Sequence, residues 1–330
     1  MKDIENTKKE SPILSLTGMG GGVSSFAVLS GRAGPSYTDP GQQAYTTPGS
    51  YTWVGGKNTL TISMVAVSGG GGGQTSARFS DAAGAGGGGL RYSNDVAIDG
   101  NADYTIVVGA GGNSGSSPTD GGSSYVEAED GTKLVLVTGG VSGDGGPNGR
   151  AGGGSYGTNV GDGGGNGGDC ADGSYRSGGG GAGGYSGDGG DGQAGGDGSP
   201  GGDGSGGGAG GGGGGRSDYT GEGCGGAGGG VGIFGEGSNG EGGNSRACAP
   251  YGPNPRGNRG GYGSGGPSGT EGNGQQSCIT ANDNAEGLSY GGGAGSQSDQ
   301  FTTKKGGGGA VRLIWPGDAR AFPSTRTADE

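Results

Sequence analysis

Histidine is absent from this sequence of 330 residues. That removes the commonest general base and the commonest metal ligand, and with them Ser–His–Asp acyl transfer in its usual form. Hydrophobic residues make up only 26% and aromatic residues 6%, too few for one ordinary core along the whole chain. Positive charge is scarce too: 19 Lys and Arg against 31 Asp and Glu give a formal net charge of −12. Such a chain is repelled by phosphate backbones and anionic membranes, so nucleic acid is not expected as a partner. No run approaches the roughly 20 apolar residues that span a bilayer. The opening MKDIENTKKESPILSLTGMGGG carries charge but no continuous apolar stretch, and is not read as a secretory signal.

Cysteine is sparse and dispersed. Cys170, Cys224, Cys248 and Cys278 form no C-x-x-C pair, which with the missing histidine argues against zinc fingers. Two disulfides closing long loops, with three pairings to choose from, stand beside the alternative of buried thiols. A phosphate loop is missing as well, since Gly56-Lys57 runs into Asn58 without the upstream glycine. The calcium-binding glycine–aspartate repeat is met once, by GGNGGD at 164–169, and never in tandem, so the aspartates read as a solvated face. Thirty-one acids leave many carboxylate pairs, but a glycine-dominated body offers few rigid walls for a pocket. The chain is expected not to be an enzyme and to need no cofactor or metal.

Glycine fills the space left by these absences, with 103 residues. The apolar residues concentrate in 51–140 and again in 310–315, and these segments read as β-strands. YTWV and TLTISMVAVS flank a Gly-Gly-Lys-Asn turn, and Leu60, Ile62 and Met64 alternate with Thr61, Ser63 and Val65. LRYSNDVAI and DYTIVV are separated by Asp99-Gly100-Asn101. SSYVEAEDGTKLVLV reads as a hairpin turning at Asp130-Gly131. The last strand, AVRLIW at 310–315, joins the same sheet only if the chain returns after a long glycine-rich excursion.

Within that excursion, glycine holds every third position from Gly189 to Gly213. Three residues per turn is the period of polyproline-II geometry. Collagen shares the period but needs proline, and this run has only Pro200. A bundle of polyglycine-II helices fits better: glycine faces touch, and peptide groups bond to neighbouring helices. Asp191, Asp197 and Asp203 then stack on one face, about 19 Å apart, and point to solvent. The ordering entropy of glycine makes one isolated helix untenable and a cooperative bundle credible. GGGGG at 69–73, GAGGGG at 84–89 and GGGG at 306–309 read as further helices entering and leaving the sheet.

The most informative interruption is NSRACAPYGPNPRGNRGGYGSGG, 244–266. It gathers Arg246, Tyr251, Arg256, Arg259 and Tyr262 in an acidic protein, residue types that anchor recognition surfaces and suit sugars or anionic polymers. The competing reading has the arginines neutralising nearby aspartates and the tyrosines capping helix ends.

LTISMVAVSGGGGG, YTIVVGAGG and the close GGGGAVRLIWPGDARAFPSTRTADE resemble glycine-rich structural proteins of tailed bacteriophages, particularly cyanophages. The body, 51–315, is similar in style to phage tail-fibre adhesins with polyglycine-II sandwiches, and to the glycine-rich extracellular domain of certain receptor tyrosine kinases. The resemblance implies a virion structural protein of a tail fibre or tip, extracellular after lysis. It would form homo-oligomers in the particle, attach to other tail proteins through residues 1–50, and contact a host receptor or polysaccharide through interruptions of the triplets. The alternative is an ice-binding protein, since snow-flea antifreeze resembles this chain in having polyglycine-II helices and disulfides, or an extracellular matrix protein.

The expected fold is mostly β, with little or no α-helix. An attachment segment (1–50) precedes a jelly-roll-like β-sandwich (51–140 and 310–316), which carries a polyglycine-II insertion (141–309) and a C-terminal tail (317–330).

Overall fold

The computed structural model describes residues 40–55, 61–76, 82–143, 158–171, 177–194, 200–212, 225–243, 286–298 and 304–324, with the short stretches 245–247, 255–257, 259–260 and 262–264. The chain divides into two units, Met1–Asp39 and Pro40–Glu330. The first unit, and with it most of the expected attachment segment, lies outside the described residues, as do Tyr251, Asp197, Cys224, Cys248, Cys278 and the last six residues of the expected tail.

The described chain is mostly β and extended, with no helix among the described residues. In chain order the strands are β1 (Gly41–Tyr45), β2 (Gly49–Val54), β3 (Thr61–Val67), β4 (Thr75–Ser76), β5 (Leu90–Ala97), β6 (Asp103–Val108), β7 (Ser124–Glu127), β8 (Lys133–Val137), β9 (Ser245–Ala247), β10 (Pro255–Gly257), β11 (Gln297–Ser298) and β12 (Ala310–Trp315). They build two antiparallel four-stranded sheets, ordered β1-β12-β3-β5 and β2-β6-β7-β8, with β4–β11 and β9–β10 as small separate pairs.

Several features follow directly from sequence. β7 and β8 form the hairpin expected at Asp130-Gly131. Gly131 there takes φ +87°, a conformation open to glycine and closed to most residues, and its N–H donates to Ala128 O at 2.9 Å. β12 pairs with β3, Leu313 opposite Met64, so the chain does return to the same sheet after its long excursion. Two features were not foreseen. β2 and β3, which flank the Gly-Gly-Lys-Asn turn, belong to different sheets, and so do β5 and β6 across Asp99-Gly100-Asn101. The first sheet also extends upstream of Tyr51, because β1 pairs with β12 along its whole length.

One cluster of buried side chains lies between the sheets. Ile62, Met64 and Ala66 of β3 and Val311 and Leu313 of β12 meet Trp53, Tyr104, Ile106, Val108, Val126, Val135 and Val137 of the second sheet. The strands of the first sheet are buried on the opposite face as well. Val65, Val67, Leu90, Ala310 and Ile314 pack against Ala182, Tyr185, Ala209, Val231 and Ile233 of the glycine-rich region. Burial on both faces explains why ISMVAV and AVRLIW are nearly unbroken apolar runs and not polar–apolar alternations. Ser63, expected on a polar face, is fully buried and satisfied by bonds to Gly317 O (3.3 Å) and from Asp95 N–H (3.2 Å).

The glycine layer has its own hydrogen-bond rule. Along 178–184 the peptide N–H groups serve three neighbours in rotation. Gly178, Gly181 and Gly184 donate to Gln193, Gly190 and Gly187; Gly179 and Ala182 donate to Gly226 and Gly229; Gly180 and Gly183 donate to Ala85 and Gly88. The same rotation begins where β3 ends: Ser68, Gly71 and Gln74 donate to Gly89, Gly86 and Ala83, while Gly69 and Gly72 donate to Gly122 and Thr119. Chain direction is mixed, since 178–184 runs antiparallel to 187–193 and parallel to 85–88.

Close approach requires glycine at the crowded positions. A methyl group added at Gly180 would collide with the carbonyl oxygen of Gly168, and one at Gly87 with that of Gly181. The triplet run is not one continuous segment, however. It reverses at Ser205–Gly208, where Gly206 and Gly207 take φ +49° and +74° and Gly208 N–H donates to Ser205 O at 2.7 Å. Gly202 and Gly211 thereby become antiparallel neighbours. Beyond the turn, Ala209, in the position that carries exposed Asp191 and Asp203 earlier in the run, is buried under the first sheet.

Candidate interaction surface

Reversals of the glycine segments gather at one place in the layer. Gly184 N–H donates to Gly187 O, closing a turn over Tyr185-Ser186. Next to it stand the turn Ser205–Gly208 and the interruption VGIFGEGSNG, 231–240. Side chains stitch these together. Ser186 Oγ donates to Glu236 Oε1 at 2.5 Å, Gly207 N–H to Asn239 Oδ1 at 2.8 Å, and Ser264 Oγ to Gly207 O at 2.8 Å. The C-terminal residues close over the same region, with Glu236 N–H bonded to Pro323 O at 2.8 Å.

Beneath the turns lies a seam of rings. Tyr185 stacks on Phe322 with centroids 5.8 Å apart, and Tyr92 lies 6.1 Å from Tyr185. The Tyr185 hydroxyl accepts from Gly235 N–H (3.1 Å) and donates to Gly232 O (3.3 Å). Burial pushes its pKa well above the ordinary tyrosine value, against the smaller downward effects of the Gly235 bond and Arg312. Burial also raises Tyr92, helped by the carboxylates of Asp162 and Glu236.

Arg312, fully buried in β12, ties the seam to the sheet. Its Nε and Nη2 donate to Gln42 Oε1 of β1 (3.0 and 2.6 Å), and Nη1 donates to Ile233 O (3.3 Å). The guanidinium lies 4.7 Å from the ring centre of Phe234, an attractive placement over the ring face. Phe234 itself is 41% exposed, one of two large apolar side chains so placed among the described residues. The surface above the seam therefore displays one aromatic ring among Ser186, Ser205, Ser238, Asn239 and Glu236.

Carboxylates work as acceptors for peripheral peptide groups. Asp188 Oδ1 accepts from Asn166 N–H (2.7 Å), Asp191 Oδ1 from Asp169 N–H (2.8 Å), and Asp203 Oδ1 from Gly242 N–H (2.7 Å). Asp191 and Asp203 are exposed, as a solvated face requires, yet each also bonds a neighbouring segment. No group of three or more His, Cys, Asp or Glu residues suited to a metal ion occurs among the described residues.

The sequence-selected residues fall in several settings. Arg246 and Arg256 are directly opposite each other in the β9–β10 pair. Tyr262 is 5% exposed and adjoins the bridge between Val231 and Gly263, so its ring belongs to the interior beside the turns. Arg259 is half-buried. Cys170 is buried, and its three sequence partners lie outside the described residues. Phe234 and Glu236 were passed over, although a lone aromatic inside a glycine run is the signal that would have found them.

No protein-family model matches the chain, and no curated protein matches it.

Proposed function

We propose that the chain is a structural protein of a phage virion, a tail-fibre or tail-tip component, built as a β-sandwich that carries a bundle of polyglycine-II helices. One observation supports this above the rest: along 178–184 the peptide N–H groups serve three neighbours in strict rotation. That is the pattern of a three-residue screw without internal bonds, and it makes a rigid, side-chain-poor body suited to projection and not to catalysis. The shared core of the two sheets supports the sandwich, and the burial of the first sheet under the glycine segments supports a bundle that is integral to it. The assignment to a virion rests on the resemblance carried by LTISMVAVSGGGGG and the RLIWPGDARAFPSTRTADE close.

In this reading the part of residues 1–50 that precedes β1 attaches the chain to other tail proteins, and several copies assemble in the particle. Host receptor or polysaccharide is met by the interruptions: Arg246, Tyr251 and Arg256 around β9–β10, with Tyr262 and Arg259 fixing the base of that segment. Ice binding is the weaker alternative, because Asp191, Pro200 and Asp203 stand exposed where a flat array of Ala and Thr would be needed. Gold-labelled antibody against the chain should decorate the tail appendage of purified particles. Absence of the chain from purified particles by mass spectrometry would overturn the virion assignment. Joint replacement of Arg246, Tyr251 and Arg256 by serine should abolish attachment to host cells while particle yield stays unchanged; normal attachment would reduce the segment to scaffold.

A further inference from the structure

Both sheets are sealed on one side. Leu136 of β8 and Val160 exchange two backbone hydrogen bonds, each 2.9 Å, and three residues later Gly163 bridges Tyr92 of β5. The short segment 160–163 thus covers an edge of each sheet. On the other side stand β1 and β2. No described residue pairs with the outer edge of β2.

Open edges in soluble proteins are normally blunted by charge, bulges or covering loops. This one has no charge at all: from Pro40 to Gly55 there is neither an acidic nor a basic residue. β2 pairs with β6 in unbroken register from Gly49 to Val54, so no bulge twists it away. Val54 at its end is 56% exposed, as is fitting for a residue awaiting cover.

We propose that the outer edge of β2 pairs antiparallel with the same edge of a second copy, fusing two four-stranded sheets into one across a two-fold axis. Peptide groups along a strand edge are matched by another strand edge, and β5 and β8 are already covered. Charge selects the partner, and the exposed Val54 selects β2 within the neutral stretch that it shares with β1. Two copies each carrying −12 repel one another, and the neutral edge lets their backbones meet with the least like-charge contact. Residues opposite each other in an antiparallel pair share a face. The register that respects this and engages the strand through Val54 is centred on Thr52, with Tyr51 opposite Trp53 and Ser50 opposite Val54 of the other copy. An identical edge on both partners is the self-complementary arrangement a two-fold dimer requires. The inference stands apart from the virion assignment, since it needs only this edge.

Thr52 is exposed, so its replacement leaves the fold intact, which circular dichroism and Trp53 fluorescence would verify. Light scattering on the full chain should give a dimer at micromolar concentration. Thr52→Lys and Thr52→Glu each place like charges directly across the axis and should yield monomers; mixing the two variants should restore the dimer. A monomeric full chain overturns the proposal, as does a Thr52→Lys variant that stays dimeric or a mixture that fails to pair. A monomer that instead binds a synthetic peptide of PILSLTGMGGGVSSFAVL, the apolar pieces of the expected attachment segment, on this edge would assign it to that sequence and overturn the second copy equally.

Discussion

Ile106 of β6 and Gly180 of the glycine layer are both buried, and a methyl group has opposite value at the two positions. At Ile106 side-chain carbon fills the space between two sheets, so its removal leaves a cavity. At Gly180 there is no space, because a neighbouring backbone already occupies it. The sheets are held by side chains, with backbone bonds shared between two neighbours in a plane. The glycine layer is held by hydrogen bonds between peptide groups of segments lying in three directions, an approach that only the absence of side chains allows. The two regions meet at Val65, Val67 and Ile314, where a sheet of one kind is covered by a layer of the other. A protein with 26% hydrophobic residues can therefore bury both faces of a sheet by setting a few side chains, Tyr185, Val231 and Ile233 among them, into a covering layer whose remainder is close-packed backbone.

The sharpest way to break this contrast is to add carbon where there is none. Gly87→Ala together with Gly180→Ala forces two methyl groups into carbonyl oxygens that cannot retreat without moving further segments. The double variant should lose more than about 4 kcal/mol, the range of severe overpacking and buried-backbone disruption, and accumulate as insoluble protein. Ile106→Ala, which removes carbon from the sheet core, should cost about 2–5 kcal/mol and still give soluble, folded protein with a lowered urea midpoint. Equal tolerance of the glycine and isoleucine changes would show that the layer is loosely packed.

Arg312 tests the seam between the two regions. Arg312→Ala removes the bonds to Gln42 and Ile233 and the platform under Phe234. It should destabilise by about 2–3 kcal/mol, in the range for buried hydrogen bonds to a charged group. Arg312→Met keeps most of the volume without a buried charge and should recover part of that loss. If the seam couples the two regions, Arg312→Ala should also raise hydrogen exchange at Gly232 and Gly235, which flank Ile233-Phe234. Protection unchanged there would mean the glycine layer holds itself.

How much of this was legible depends on whether a local rule had competitors. The β7–β8 hairpin was legible because Asp-Gly chemistry picks out one turn, and the return of AVRLIW because a six-residue apolar run needs a sheet to bury it. The exposure of Asp191 and Asp203 on the side-chain face of the triplets was legible from their six-residue spacing. The reversal at Ser205–Gly208 was not, since Gly206 and Gly207 satisfy a close-packed screw and a positive-φ turn equally. Sheet membership of β2 and β3 escaped for a related reason: a glycine turn marks a change of direction, not its destination. The burial of Ser63 was hidden by its polarity, although the apolar MVAV that follows it in β3 pointed to two covered faces. Of the candidate surface, charge and aromaticity singled out 244–266, while the Phe234 platform depends on Arg312, 78 residues away in sequence, and on a packing that no local pattern specifies.

Alkali should loosen the protein through its buried tyrosines. Tyr185 keeps its proton in the folded state because burial disfavours the phenolate, while in the unfolded chain it titrates near its ordinary value of 10.0. A folded pKa raised above the unfolded one contributes stability that is complete below pH 10 and is lost as pH climbs above it. Tyr45 of the inter-sheet cluster, Tyr92 and Tyr290 are shifted the same way, chiefly by burial. Stability should thus be level on the neutral side and fall steeply above pH 10. Tyr185→Phe gives up the bonds with Gly232 and Gly235, at about 1 kcal/mol near neutrality, but flattens the alkaline fall. An identical alkaline slope in the variant, measured by urea unfolding at several pH values, would remove Tyr185 from the account.

The smallest expected effect concerns the rim of the glycine layer, where side chains return to a region built without them. Asp203 reaches across to Gly242 N–H, and Asp191 to Asp169 N–H. Each supplies an acceptor to a peptide group that has run out of neighbouring backbone. Both carboxylates are exposed, so water competes for the same N–H and the net gain is small. Asp203→Ala should cost about 0.5–1 kcal/mol, the usual worth of a hydrogen bond open to solvent exchange. Asp203→Asn keeps an acceptor oxygen at the same reach and should cost less than half as much. The distinction separates two roles for the acidic face. If the carboxylates serve only solubility, Asn and Ala behave alike, because both remove the same charge. If they terminate the peptide lattice, Asn stays near the parent and Ala alone speeds hydrogen exchange at Gly242. Exchange at that single amide, compared between Asp203→Asn and Asp203→Ala, decides between them.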